Sequence, residues 1–139
     1  MSTLTLSYAK QIREDLNNRI NKLGEDDDAM PLVLETLDSF NLIEKVSLLR
    51  RLFEEKHANI HYRDAENHRT LLYYAIGELD EIGDGKACLE YLLGLGAEFD
   101  PDDIEFARHL NKDWAVEILE RHRSQIRISS FFRQYVAAN

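Results

Sequence analysis

The sequence predicts an all-α chain built from short paired helices. Three observations carry that prediction. Apolar residues recur every three or four positions along almost the whole chain, the period of a helix with one buried face. Helix-start chemistry recurs at Ser7, Pro31, Thr70 and Asp100-Pro101-Asp102-Asp103. Glycine follows apolar helical runs at Gly24, Gly94 and Gly96, where it stops them.

The first helix is expected from a cap at Ser7 to Leu23, with Ala9, Ile12, Leu16, Ile20 and Leu23 inward. Glu25-Asp26-Asp27-Asp28 then reads as a solvated acidic loop whose last member favours the next helix start. It fails as a calcium loop, because Met30 and Pro31 fall where ligands and a turning glycine are required. Pro31 opens a helix over Leu32 to Phe40. A further helix runs from Leu42 to Lys56, burying Val46, Leu49, Leu52 and Phe53 and exposing Glu44, Lys45, Arg50, Arg51, Glu54 and Glu55. His57 to Asp64 is too short for another helix and ends in turn formers.

Asn67 to Ala75 begins the next unit. Thr70 caps, Ala75 lets two helices approach closely, and Leu72, Ile76 and Leu79 make the apolar stripe. Gly77 to Lys86, rich in acids and glycine, is an exposed loop. A helix over Lys86 to Leu93 buries Cys88, Leu89, Leu92 and Leu93. Asp100 caps a short helix made by Ile104, Ala107 and Leu110, and Trp114 to His122 makes another with Val116, Ile118 and Leu119 inward or partly so. Ser124 to Ala138 is amphipathic and basic, with Ile128, Phe131, Phe132, Tyr135 and Val136 on one side.

Asn67 to Ala75 followed by Cys88-Leu89-Glu90-Tyr91-Leu92-Leu93-Gly94-Leu95-Gly96-Ala97-Glu98 resembles one ankyrin repeat. Thr70, Leu72 and Ala75 match the family pattern. His68 stands at its turn glycine, Leu71 at its proline and Tyr73 at its histidine. Leu52 to His61 resembles the end of a preceding repeat, with His57 at the glycine. From Leu52 to Leu92 is 40 residues and from Leu92 to Leu119 is 27, against a family period of roughly 33. The resemblance implies a short ankyrin-like helical repeat solenoid over residues 30–122. An N-terminal helix and acidic loop (1–29) and a C-terminal capping helix (123–139) would flank it within one domain. It also implies a non-enzymatic module whose hairpin tips and first helices bind a protein partner. By position the contact residues are Tyr62, Arg63, Glu66, His68, Arg69, Tyr73 and Tyr74, with Phe99 and Asp102 in the corresponding places of the next unit.

Charge narrows the partner. The chain carries 17 basic and 26 acidic residues, net -9. Residues 57–105 hold 3 basic and 12 acidic side chains, whereas residues 106–139 hold 6 and 3. An acidic middle argues against nucleic acid as the ligand and suits a basic protein surface or plain solubility. One alternative is an acidic mimic that blocks the nucleic-acid-binding groove of a target enzyme. Others are a C-terminal helix anchoring to a partner or a membrane, and a homodimer through Phe131 and Phe132.

The residues offer no catalytic or metal constellation. His57 and His61 sit in a hairpin rather than on one helix face, and no cysteine pair accompanies them. Gly83-Asp84-Gly85-Lys86-Ala87 lacks the leading glycine and the hydroxyl of a phosphate loop. Cys88 reads as core. No cofactor is expected. One cysteine and an N-terminus without a basic region and apolar block suit the cytoplasm, or delivery by a dedicated secretion machine.

Overall fold

The computed structural model describes residues 2–39 and 44–126. All the regular secondary structure among them is helical: α1 (Ser2–Asn21), α2 (Met30–Asp38), α3 (Lys45–Arg50), α4 (Leu71–Glu78), α5 (Gly85–Gly94), α6 (Pro101–His109) and α7 (Asp113–Arg121). A π turn, Arg51–Glu55, continues α3, and a 3₁₀ turn, Arg123–Gln125, follows α7. The expected C-terminal helix lies outside the described residues from 127 onward, as does the expected start at Leu42 of the helix running to Lys56.

The helices pack as three successive pairs, α2 with α3, α4 with α5 and α6 with α7. The first helices touch in the order α2, α4, α6 and the second helices in the order α3, α5, α7, while α1 packs on α2. One continuous core results, from Leu16 and Ile20 through Leu49, Leu72 and Leu92 to Ile118 and Leu119. The predicted stripe Leu72, Ile76 and Leu79 is buried, as are Cys88, Leu89, Leu92 and Leu93. Several expectations are corrected. Helix α1 starts at Ser2, so Ser7 lies inside it rather than at its cap. Leu110, expected within the helix, lies just past the end of α6 and is exposed.

Three helices end in a left-handed residue, and one of these ends holds an extra residue. Helix α5 closes with Gly96 at φ 94°, the Ala97 N–H reaching Leu92 O at 3.2 Å. Helix α6 closes in the same way with Asn111 at φ 59° and the Lys112 N–H on Ala107 O at 2.9 Å. Both are left-handed C-terminal caps that satisfy carbonyls the helix leaves open. Helix α3 ends at His57, φ 58°, and the Ala58 N–H reaches Leu52 O at 3.0 Å, one residue further back than its counterparts. The π turn absorbs that extra residue.

Lysines close two first helices. Lys45 was expected to be exposed, yet it is only 7% exposed and its ammonium donates to Leu37 O at 2.7 Å. Lys112 donates to Ile76 O at 2.7 Å, Leu79 O at 2.8 Å and Gly77 O at 3.3 Å, finishing α4 from the turn between α6 and α7. A cation at a C-terminus meets both the open carbonyls and the negative end of the helix dipole.

Candidate functional site

The hairpin between α3 and α4 is short and tightly tied. Arg63 and Thr70 form an antiparallel bridge, the Asp64 N–H donates to Arg69 O at 2.9 Å, and the His68 N–H returns to Asp64 O at 2.7 Å. His68 takes φ 56° at the place where the repeat pattern has glycine. That left-handed conformation is uncommon for a residue with a Cβ, though histidine adopts it more readily than most. The Asp64 carboxylate accepts from the Glu66 N–H at 2.7 Å and from the Tyr74 hydroxyl. The Tyr74 bond holds Asp64 below the usual carboxylate range and pushes the Tyr74 phenol up to about 12.

Two contacts tie this hairpin to the third pair. Arg63 grips Asp100 with both terminal nitrogens, at 3.0 and 2.8 Å, while also donating to His68 O at 3.0 Å. Thr70 caps α4 by accepting the Tyr73 N–H at 3.1 Å, and its hydroxyl donates to Asp103 Oδ2 at 2.7 Å. That carboxylate also accepts the Asp100 N–H at 2.9 Å, so one buried side chain serves the starts of both α4 and α6. Burial pushes its carboxyl up, and the Thr70 and Asp100 hydrogen bonds act in the opposite sense.

Of the expected contact residues, Arg63 and Tyr74 are therefore spent on internal bonds, and Tyr62 packs partly against the core. Phe99 is 0% exposed and belongs to the core, so its expected surface role is corrected. The physical reason lies in the connection. The chain passes from Gly96 to α6 with no second hairpin, and Phe99 instead bridges Ile126, its N–H donating to Gln125 O at 3.3 Å. Asp102 sits exposed in the first turn of α6.

Glu66, His68 and Arg69 remain exposed, and Tyr73 is half-buried. The Arg69 guanidinium lies 4.4 Å over the Tyr73 ring, and Phe106 of α6 stacks at 4.2 Å and 17° on the same tyrosine. Tyr74 meets Tyr73 edge-on at 5.8 Å. Arginine, tyrosine and phenylalanine thus form a column crossing from the start of α4 to α6, with Asp102 one turn before Phe106. Sequence reasoning missed Phe106, Asp64, Asp100 and Asp103 as parts of this region. Phe106 shares a helix face with Asp102, but its place on Tyr73 depends on α6 lying against α4; Asp100 and Asp103 were visible only as a helix start.

The remaining candidates are quieter. Burial, with Asp84 nearby, pushes the Cys88 thiol up to about 12, far from a thiolate at neutral pH. Among the described residues, no group of three His, Cys, Asp or Glu side chains is placed to hold a metal ion, and no helix is long and apolar enough to cross a membrane. Comparison with protein-family models, curated proteins and solved structures gives no match.

Proposed function

We propose that the chain is an ankyrin-like protein-binding module that engages a protein partner through the face shared by α4 and α6. The observation that carries this reading is the Arg69, Tyr73 and Phe106 column, flanked by Glu66, His68 and Asp102. Arginine and tyrosine are, with tryptophan, the side chains enriched at binding hot spots, where a rigid ring supplies area at low entropic cost. Support for a repeat array comes from the ordered contacts of first helices with first helices and second with second. The second helices α3 and α5 also both end in a left-handed residue, His57 and Gly96. The acidic balance of residues 57–105 favours a partner with a basic surface.

Affinity capture on the immobilised full chain, with Arg69→Ala and Asp102→Ala combined as the comparison, tests the reading. Both side chains are exposed, so the far-ultraviolet melt should be unchanged while a specifically bound protein is lost. Equal capture by the variant and the parent chain would overturn the site.

A further inference from the structure

We propose that the loop joining α4 to α5 is a docking finger, whose Ile82 enters an apolar pocket rimmed by lysine or arginine on another protein. Ile82 is 94% exposed, far beyond any other large apolar side chain among the described residues. Single exposed apolar residues are common on protein surfaces. This one differs in what holds it out.

The base of the loop is nailed on three sides. Lys112 takes the carbonyl of Leu79 and sits 3.9 Å from Asp80 Oδ1. Asp84 Oδ2 accepts the Val46 N–H of α3 at 3.3 Å. Gly85 closes the loop so tightly that a Cβ there would stand 2.0 Å from Asp80 O. Between these anchors Gly83 turns at φ 103° into open space. Leu79, the other apolar residue of the segment, is buried as the root. The isoleucine is thus presented on a braced tip, so docking it orders little chain.

Charge selects the partner. Asp80 and Glu81 are exposed immediately before the tip and Asp84 follows it at the base, with Lys86 ion-paired to Glu81 at 3.4 Å. Three acids against Lys86 and the half-buried Lys112 leave the loop net negative, which repels an anionic lipid surface and complements a basic rim. The finger projects from the C-terminal end of α4, whereas Arg69 and Thr70 lie at its N-terminal end, so the two surfaces are separable by mutation.

The test places a photo-crosslinking benzoyl-phenylalanine at position 82 of the full chain, irradiates it in extract of the native cell and maps the joined peptide by mass spectrometry. The captured protein is then purified and titrated with the parent chain, Ile82→Asp, Asp80→Asn with Glu81→Gln, and Arg69→Ala. The finger predicts a joined segment beside lysine or arginine and an affinity lowered about tenfold or more by Ile82→Asp, the scale of one desolvated isoleucine. It also predicts a flatter salt dependence for the neutralised variant. A crosslink only to a second copy of this chain, to lipid or to nothing would overturn the proposal, as would equal affinity for Ile82→Asp. If Arg69→Ala weakens binding while Ile82→Asp does not, the α4–α6 face stands and the finger falls.

Discussion

Thr70 and Asp103 lie 33 residues apart and share one hydrogen bond of 2.7 Å, through which the cap of α4 is joined to the first turn of α6. Removing the hydroxyl in Thr70→Ala takes away a cap worth about 1 kcal/mol and strips the buried carboxylate of a donor. A loss of about 2–3 kcal/mol in urea unfolding is expected. Asp103→Ala should cost a similar amount, and the double variant should cost less than the sum by about 1 kcal/mol or more. Additive losses would mean that the two residues act separately.

The pH dependence of stability has opposing contributions. Asp103 is raised above 3.8 by burial, and Glu78 above 4.5 by burial and by a hydrogen bond with Asp38. A carboxyl raised on folding contributes stability that is complete below its unfolded value and is lost as pH climbs through the folded one. Asp64 is lowered, so its contribution is present above 3.8 and lost on acidification. Glu78→Gln should therefore raise the melting temperature at pH 7 and leave it nearly unchanged at pH 4. The gain is expected on the scale of a surface charge pair, roughly 0.2–1 kcal/mol. Thermal melts at the two pH values check the sign.

Glycine substitutions separate three environments. Gly85→Ala forces a Cβ into the Asp80 carbonyl and should destabilise by about 2–3 kcal/mol or more, because the obstructing atom is backbone. Gly94→Ala meets nothing within 4 Å, and Gly77→Ala meets only the Phe106 ring at 3.6 Å. Each of these two should be neutral or stabilise by up to about 1 kcal/mol through helix propensity. Denaturant midpoints for the three variants give the ordering directly.

Left-handed positions occupied by histidine supply the fourth prediction. His57→Gly should be stabilising by about 0.5–1 kcal/mol at φ 58°, and His57→Val destabilising by at least as much. His68→Gly should follow the same sign at φ 56° while leaving the Arg63 bond to the carbonyl of residue 68 in place. Thermal unfolding of the full chain measures both.

Features decided by neighbours along the chain were readable in advance. Thr70 caps as expected, and the Cys88 to Leu93 stripe is buried. Features decided by neighbours in space were not. Lys45 reads as a surface residue from its periodicity, and only its position beside the end of α2 shows why its ammonium is buried on Leu37 O. Phe99 matched a hairpin position by counting, but the chain enters α6 at once and spends the ring on the core. Periodicity likewise cannot register the extra residue in the π turn, which displaces the repeat spacing without changing the apolar pattern. For the candidate surface, Arg69 and Tyr73 were identified from position, whereas Phe106 required knowing that α6 lies against α4.

Helix α4 is fastened at both ends by the third helix pair, Asp103 at its start and Lys112 at its finish. Helix α4 cannot depart without breaking both, which strips the buried Asp103 carboxylate and the Lys112 ammonium, both of the third pair, of their partners on α4. In native-state hydrogen exchange, the amides of α4 and α6 should therefore share one opening free energy and one denaturant slope, behaving as a single cooperative unit.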